Sequence, residues 1–257
     1  MALGERIALA LRAGGLGEDD LDVSAVEGRE GLSEPFAFEV SFRPVSGEPL
    51  DLAGFAGQEA VLSLRRPTGE ERWVHGECVR AGLAGVDSGK PRYRLVIAPR
   101  LLRLANVVQN RIFQEKSVPD VVKEVLDEHG IEHELSLTGS YPALEYVVQY
   151  RETDLAFVAR LLAEQGIWYR FQHGDGAHTL VLADAAGALE ETNGPVPVRP
   201  GGEQGDGSEH VARLERVYAV ASGKATRRDF DFEKPDLDLT APAGQEELEV
   251  YEYPGGY

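Results

Sequence analysis

The amino-acid sequence predicts a mainly β fold of the α+β type, with two β-barrel-like lobes and a helix-containing insert between them. Apolar and polar residues alternate with period two through most of the first hundred residues. The period becomes helical near Leu101, and period-two stretches return after Asp184. We therefore predict a first lobe over residues 1–105, an insert with two helices over 106–184, and the start of a second, incomplete lobe over 185–257.

The first lobe is predicted from strands separated by turns. From Phe36 to Phe42, apolar residues alternate with other residues, so one face of this strand points inward. Residues 60–64, 72–75 and 93–97 continue the pattern, and Pro67–Glu70 supplies turn residues. A small, mostly antiparallel barrel buries such one-sided strands and leaves few open edges.

Two helices are predicted in the insert from their end signals and their apolar stripes. Ser117 opens a capping box variant, with Asp120 in place of the usual Glu, before an apolar stripe that Gly130 ends. Thr153 is a suitable N-cap for the second helix, and Asp154 puts a carboxylate at the positive end of its dipole. Gly166 stands where a left-handed C′ residue would end that helix.

A hairpin and further strands are predicted after the second helix. Residues 167–172 and 178–184 alternate, and His173–Ala177 between them has turn chemistry. Residues 185–207 are rich in Gly, Pro and Glu, which predicts an exposed loop. Alternating apolar positions then predict three more strands, which are His210–Val220, Lys224–Phe232 and Glu246–Tyr253.

Composition and charge exclude several classes of protein. The chain has 257 residues, 42% of them hydrophobic, which is enough to bury a sizeable core. Its 26 basic and 44 acidic residues give a formal charge of −18, which disfavours nucleic acid and anionic membranes as partners. Cys78 is the single cysteine and is expected to be a small core residue. Because the N-terminus lacks the apolar region of a cleavable signal peptide, and no segment approaches a membrane span, we expect a soluble protein made in the cytoplasm.

The histidines do not predict an enzyme or a metal site. His129 and His133 are four residues apart, but Gly130 ends the helix between them, so their rings would not share a helical face. His173 and His178 flank the hairpin turn and can approach each other across it, yet no Cys or carboxylate nearby in sequence completes a tetrahedral set. We therefore expect no cofactor, no metal and no catalytic residue.

One polar motif stands out where a strand leads into the second helix. Tyr150, Arg151, Glu152 and Asp154, together with Gly166 at the far end of the helix, are expected to form a structural motif. A charged functional site is the alternative, but an arginine–carboxylate pair with a helix-dipole contact is the simpler interpretation. A platform for a sugar or peptide ligand is the alternative for a set of aromatic residues, but we interpret them as packing residues whose polar ends form hydrogen bonds. They are Tyr141, Tyr146, Tyr150, Trp168 and Tyr169.

The same region carries a resemblance to a known family. The residues that carry it are Val148–Leu155, Phe157–Val158, Arg160–Leu162, Glu164, Gly166–Ile167 and Tyr169. They resemble the signature of the valine-glycine repeat (VgrG) family of type VI secretion tip, or spike, proteins. Further stretches similar to this family are Glu27–Phe36, Tyr93–Pro99, Val217–Tyr218, Asp229–Pro235 and Tyr251–Tyr257.

The resemblance implies a fold and a set of partners. It implies the N-terminal, phage-tail-hub-like region of a trimeric spike, which sits between a tube of stacked rings and a piercing needle. The implied partners are two further copies of the chain, the ring-forming tube protein, the needle tip protein and effectors. Export would follow the type VI route without a signal peptide. The alternatives are the hub of a phage tail or related contractile particle, and a spike-derived hydrolase.

The resemblance also sets an expectation for the oligomeric state. In the family, the Tyr-Pro-Gly stretch near residue 253 is followed by more hub strands, an oligonucleotide-binding-type barrel and a β-helix that clamps the trimer. Those parts are not among the 257 residues. We therefore expect an unpaired sheet edge in the second lobe, and a monomeric or ill-defined assembly for these residues alone.

Overall fold

The computed structural model describes residues 7–66, 69–87, 89–189, 195–199, 210–245 and 248–255. The described residues up to Pro195 form one compact unit, and those from Val196 onward form a second. Strands outnumber helices in the described chain, and most strand pairs are antiparallel. The predicted mainly β fold is confirmed.

Six strands of the first unit form one antiparallel sheet. They are β1 (Ala8–Ala13), β2 (Leu21–Gly31), β3 (Glu34–Pro44), β4 (Glu59–Arg65), β5 (Glu71–Asp87) and β6 (Lys90–Ala98). Their order is β1-β4-β5-β6-β3-β2, and the edge strands β1 and β2 approach each other, so the sheet curls into a barrel-like lobe. Register shifts between Cys78 and Arg80 and between Leu83 and Gly85 add local bends to β5.

The inner face of this sheet carries the predicted alternation. Phe36, Phe38, Val40 and Phe42 on β3 are all at most 5% exposed. Cys78 on β5 is also fully buried, which confirms its expected place in the core, and burial raises the pKa of its thiol. Residues 67 and 68 of the predicted turn between β4 and β5 lie outside the described residues.

The rest of the first unit is the insert. A 3₁₀ helix (Arg100–Asn106) leads into β7 (Val108–Lys116), α1 (Val118–Glu128), β8 (His133–Ser136), β9 (Leu144–Thr153), α2 (Asp154–Glu164), β10 (Trp168–His173) and β11 (His178–Ala183). Strands β7 and β9 pair as an antiparallel ribbon. The predicted hairpin is formed by β10 and β11, and β8 joins it in parallel beside β11.

Strand β7 corrects the predicted helical period after Leu101. The helical pattern applies to the 3₁₀ helix and to α1, but Val108–Lys116 between them is extended. Phe113 in this strand is 6% exposed while its neighbour Ile112 is 63% exposed, which is the alternation of a one-sided strand. The strand forms because β9, far along the chain, supplies its hydrogen-bonding partner.

Both helices begin at the predicted caps. The hydroxyl oxygen of Ser117 accepts a hydrogen bond from the backbone N–H of Asp120 at 3.3 Å. The hydroxyl oxygen of Thr153 accepts one from the N–H of Ala156 at 3.1 Å. Each cap satisfies a backbone donor that the first helical turn leaves without a partner.

The predicted stop of α1 is also present. Gly130 follows the helix with a φ of +59°, a conformation that glycine adopts without steric cost. The next N–H, from Ile131, donates to the carbonyl of Leu126 at 3.0 Å, which is the bond of a Schellman motif. Ile131 and Leu126 are both buried, so the stop also adds to the core.

The two helices bury their apolar stripes in one core. In α2, Phe157, Val158, Leu161 and Leu162 are at most 2% exposed, whereas Ala159 on the same helix is exposed. They pack with residues of α1, of the ribbon and of the hairpin in a single cluster. A second cluster fills the barrel-like lobe.

The second unit contains a small three-stranded sheet. It consists of β12 (Lys224–Asp229), β13 (Leu239–Gly244) and β14 (Glu249–Glu252), in the order β13-β12-β14. The predicted strand at His210–Val220 is wrong, because residues 212–220 form no regular element and Leu214, Val217 and Val220 are at least 80% exposed. Much of the predicted loop at 185–207 lies outside the described residues, as do residues 256–257.

We predict that Val158→Asp prevents folding of the chain, while Glu164→Ala on the same helix is mild. Val158 is 2% exposed, and an unpaired carboxylate there costs several kcal/mol, comparable with the whole free energy of unfolding of a domain, about 5–15 kcal/mol. Glu164 loses only a surface ion pair with Arg160, worth about 0.5 kcal/mol. Thermal melts of the two variants test this, and equal tolerance of both would show that the α2 stripe is not buried.

Candidate functional site: a buried brace and an exposed ribbon face

The carboxylate of Asp154, the first residue of α2, is almost wholly buried, with 1% of its side chain exposed. Its Oδ1 accepts hydrogen bonds from Arg111 Nη2 at 2.9 Å and from Gln149 Nε2 at 2.7 Å. Its Oδ2 lies 2.8 Å from Nε2 of His129. The carboxylate also faces the positive end of the α2 dipole, as predicted. We call Asp154, Arg111, Gln149 and His129 the brace.

Arg111 on β7 supplies the counter-charge of the brace. Its Nε donates to Oε1 of Gln149 on β9 at 2.9 Å, and its Nη1 donates to Oε2 of Glu128 on α1 at 2.5 Å. The guanidinium lies 5.4 Å from the centroid of the Phe113 ring, within range of a cation–π contact. One side chain therefore connects β7 to β9, α1 and α2.

The other residues of the predicted motif lie around a bulge in β9. The register shifts opposite Asn110, and Arg151 is the extra residue, with a φ of +52°. Its N–H donates to Oδ1 of Asn110 at 3.0 Å, and its guanidinium lies 5.2 Å from the Tyr150 ring centroid. Glu152 pairs with Arg160 on α2 at 2.6 Å. The arginines that meet the carboxylates are thus Arg111 and Arg160, while Arg151 stacks on Tyr150.

Gly166 holds the far end of α2. Its φ is +68°, and the space around a Cβ at this position is open, so the backbone conformation alone favours glycine here. The N–H of Ile167 donates to the carbonyl of Leu162 at 2.9 Å, which completes a Schellman motif. The predicted left-handed C′ position is confirmed.

The brace connects elements and does not present a reactive group. Both oxygens of Asp154 are engaged by protein donors, and Arg111 is bonded on three sides. Within the described ranges, no group of three or more His, Cys, Asp or Glu side chains is arranged to hold a metal ion. The arrangement therefore suits a structural joint.

The sequence motif reveals only part of the brace. Arg111 and His129 are 43 and 25 residues away from Asp154, so no local pattern links them to it. Gln149 did carry a signal, because it is a polar residue at an inward position of an alternating strand, and it is 1% exposed. A buried amide needs a partner, and that partner is Asp154.

The outer face of the β7–β9 ribbon is apolar and open to solvent. Five side chains that are 47% to 65% exposed form it, and we call them the ribbon face: Val108, Ile112, Tyr146, Val148 and Tyr150. Ile112 lies directly opposite Val148, with Tyr146 and Tyr150 two residues to either side of Val148 on the same strand. Ile112, Tyr146, Val148 and Tyr150 therefore adjoin on this face, and Asn110, opposite Tyr150, separates them from Val108.

The ribbon face corrects the interpretation of two aromatic residues. Tyr146 and Tyr150 were expected to pack inside the protein, but they are 56% and 65% exposed. The interpretation is correct for Tyr169, which is 5% exposed, and for Tyr141, whose hydroxyl donates to Oδ2 of Asp184 at 2.8 Å. Large apolar patches of this kind on a protein surface mark contact sites for other molecules.

We predict that Asp154→Ala lowers the free energy of unfolding by about 3–5 kcal/mol, because it leaves the Arg111 charge and the Gln149 amide buried without their partner. Glu128→Ala is the matched control, since it removes the half-exposed partner of the same arginine and costs about 1 kcal/mol or less. Urea denaturation measures both. A cost for Asp154→Ala no larger than that for Glu128→Ala would mean that the brace contributes little.

Comparison with known proteins identifies the family. The model of the phage tail baseplate hub (GPD) family matches residues 29–257. Among curated proteins, the type VI secretion system spike protein VgrG1b of Pseudomonas aeruginosa is 35% identical, with the match covering 100% of this chain and 36% of that protein. VgrG4b of the same organism is 39% identical, covering 93% of this chain and 30% of that protein. The chain thus spans about a third of the length of these relatives.

Solved structures agree with this result. The Escherichia coli c3393 protein, described as a type VI secretion component with structural similarity to the T4 phage tail proteins gp27 and gp5, matches with a TM-score of 0.64 and 32% identity. The match covers 70% of this chain and 50% of that one. A tail protein of Neisseria meningitidis MC58 shares the fold, with a TM-score of 0.59 at 15% identity, over 96% of this chain and 72% of that one.

No helix in the described part of the chain is both long and apolar enough to cross a membrane.

The family match covers most of the chain, including the ribbon, the brace and the hairpin. The spike proteins match across both units. The chain belongs to the phage tail baseplate hub family, and it corresponds to the N-terminal hub-like region of the VgrG spike proteins of type VI secretion.

Proposed function

We propose that the chain is a structural hub of a type VI secretion spike, which forms a trimeric base between the tube and the puncturing needle and helps to deliver effectors. Family membership and the 35–39% identity to spike proteins support this role. On this proposal the chain acts through assembly, and it is not an enzyme. The internally satisfied brace is consistent with that, because its polar groups are engaged with one another.

The ribbon face is the observation that carries the assembly proposal. Its apolar side chains are held on a rigid support, since the inward residues of the same strands, Phe113 and Val147, are buried in the insert core. Burying apolar surface is worth about 25 cal/mol per Å², so covering this stripe favours association. A second copy of the chain is the occupant that a trimeric hub supplies, and we place the ribbon face at that contact.

The remaining partners follow from the position of a hub. A hub of this type contacts the ring-forming tube protein on one side and the needle with its tip protein on the other, and effectors travel with it. On this proposal the protein assembles in the cytoplasm and then leaves the cell by the type VI route. The formal charge of −18 keeps the unassembled chain soluble and away from nucleic acid.

The hub of a phage tail or related contractile particle is the second candidate. The fold likeness to the Neisseria tail protein favours it, because that protein covers more of the chain than the type VI structure does. Sequence identity points the other way, at 39% for VgrG4b and 32% for the Escherichia coli type VI protein against 15% for the tail protein. The genes that surround the coding sequence separate the two: type VI sheath and tube genes favour the first, and capsid genes the second.

We predict that Ile112→Asp in the native gene reduces secretion of the tube protein to the level of a deletion of the gene. Ile112 is 63% exposed, so the substitution costs about 1 kcal/mol or less in the unassembled chain, while in a closed interface it buries an unpaired charge. Immunoblots of the culture medium measure secretion. Light scattering coupled to size exclusion measures whether the full-length spike still forms trimers.

Val45→Asp is the matched control, because Val45 is an apolar residue 61% exposed in the turn after β3, outside the ribbon. It is expected to leave both secretion and oligomeric state unchanged. Circular dichroism establishes that both variants fold. Wild-type secretion and a normal trimer with Ile112→Asp would show that the ribbon face is not an assembly contact.

A further inference from the structure

Three histidines meet where the β10–β11 hairpin packs on the barrel-like lobe. His75 lies on β5, and His173 and His178 are register partners at the two ends of the hairpin turn. The N–H of His75 donates to Nδ1 of His173 at 3.3 Å, and Nδ1 of His75 lies 3.0 Å from Nδ1 of His178. Phe36 on β3 packs its ring against both hairpin histidines, at centroid distances of 4.7 and 5.8 Å. We call His75, His173 and His178 the histidine cluster.

The hydrogen bonds of the cluster require neutral imidazoles. His173 Nδ1 accepts from a backbone N–H, so this nitrogen must carry a lone pair rather than a proton. Between His75 and His178, one Nδ1 must donate and the other must accept, which fails when both rings are protonated. Protonation of His173 therefore breaks one bond between hairpin and barrel, and protonation of both other rings breaks the second and sets like charges about 3 Å apart.

Two carboxylates face the cluster from the barrel. Oε1 of Glu59 on β4 lies 3.2 Å from Nε2 of His75. This distance is short enough for a hydrogen bond, but the geometry does not form one. Oε1 of Glu30 on β2 lies 3.8 Å from Nε2 of His173. Both Nε2 atoms are buried, and neither has a hydrogen-bond partner among the described residues. The carboxylates thus compensate only part of the charge that protonation would create.

Two arginines oppose protonation of the hairpin histidines, and a third holds the hairpin turn through an ion pair. Arg72 on β5 repels a charge on His173, and Arg100 of the 3₁₀ helix repels one on His178. Arg12 on β1 forms an ion pair with Asp175 in the hairpin turn. The base of the hairpin is fixed separately, because the N–H of Ser33 donates to the carbonyl of Tyr169 at 2.8 Å. The cluster therefore controls the tip of the hairpin rather than its base.

A cavity of about 380 Å³ borders the cluster and gives protons a route to it. It lies beside His75 and His178 and is lined further by Glu59, Glu77, Arg100 and Glu132. Its lining is polar enough, and its volume large enough, to hold several water molecules. Acid in the solvent can therefore reach the rings without unfolding the chain.

We propose that the histidine cluster is a pH-dependent latch, which holds the tip of the β10–β11 hairpin on the barrel-like lobe at neutral pH and releases it in mild acid. The hairpin shares its sheet with β8 of the insert, so it stays folded when the latch opens. What separates is the hairpin tip, including the packing of His173 and His178 against the ring of Phe36 on the barrel.

The direction of the pH dependence follows from the burial of the rings. Burial lowers the pKa of His173, and it lowers that of His178 to about 4, with the charges of His75, His173 and Arg100 acting in the same direction. The open state, with ordinary pKa values near 6.5, binds more protons between those limits. The latch is therefore complete above about pH 6.5 and is lost as the pH falls toward about 4.

The amide of His75 reports the latch directly, because its N–H is bonded to His173. If only the titration of His178 is counted, the ratio of molecules with a closed latch to those with an open latch is expected to fall about 30-fold between about pH 7.5 and about pH 5. Hydrogen exchange of this amide, corrected for the intrinsic rate, should show that fall in protection. The double substitution His173→Asn and His178→Asn keeps an acceptor near each Nδ1 position but does not titrate, so it should abolish the fall.

His133→Asn is the matched control, since His133 bonds the Ile131 carbonyl at 2.9 Å, outside the cluster, and it should keep the full response. Wild-type protection that does not change with pH, or an equal fall in the double variant, would overturn the latch. If the double variant does not fold, the ring-proton resonance of His178 in the wild-type protein decides by NMR. A midpoint between about pH 4 and about 6.5 supports the latch, because it shows that the closed state resists protonation of the ring, and a midpoint at or above about 6.5 overturns it.

Discussion

The buried carboxylate of Asp154 is the constraint on which the insert depends. A charge with 1% of its side chain exposed is tolerated only when it is paired and hydrogen-bonded, and its partners come from β7, from β9 and from the residue after α1. None of these elements satisfies the charge by itself. The four elements therefore form together, which makes the insert cooperative and fixes the ribbon against the helices.

The brace also determines which residues the ribbon exposes. Side chains alternate along a strand, so holding Arg111 and Gln149 inward turns Ile112 and Val148 outward. The bulge at Arg151 takes up the extra residue before α2, so that Asp154 can begin the helix and still face Arg111. A polar joint on one side of the ribbon thus presents an apolar stripe on the other side, in a fixed conformation that suits assembly.

The sequence predicted what local chemistry determines. Caps at Ser117 and Thr153, glycine stops and the hairpin turn depend on a few neighbouring residues, and all of them are present. Strand β7 and the brace depend on partners that lie about forty residues away, which a single sequence does not connect. The predicted strand at His210–Val220 failed for the same reason, since alternation produces a ladder only where another strand offers its backbone.

The two joints of the insert use different electrostatics. The brace joins a buried carboxylate to a guanidinium, an oppositely charged and hydrogen-bonded pair. The histidine cluster joins imidazole rings, and a proton on Nδ1 of His173 removes the bond that this atom accepts from the barrel. On the latch proposal, mild acid therefore loosens the tip of the hairpin, while its base stays bonded to the barrel through Ser33 and Tyr169. The ribbon face is supported by the brace and by the buried side chains of Phe113 and Val147, so it keeps its shape.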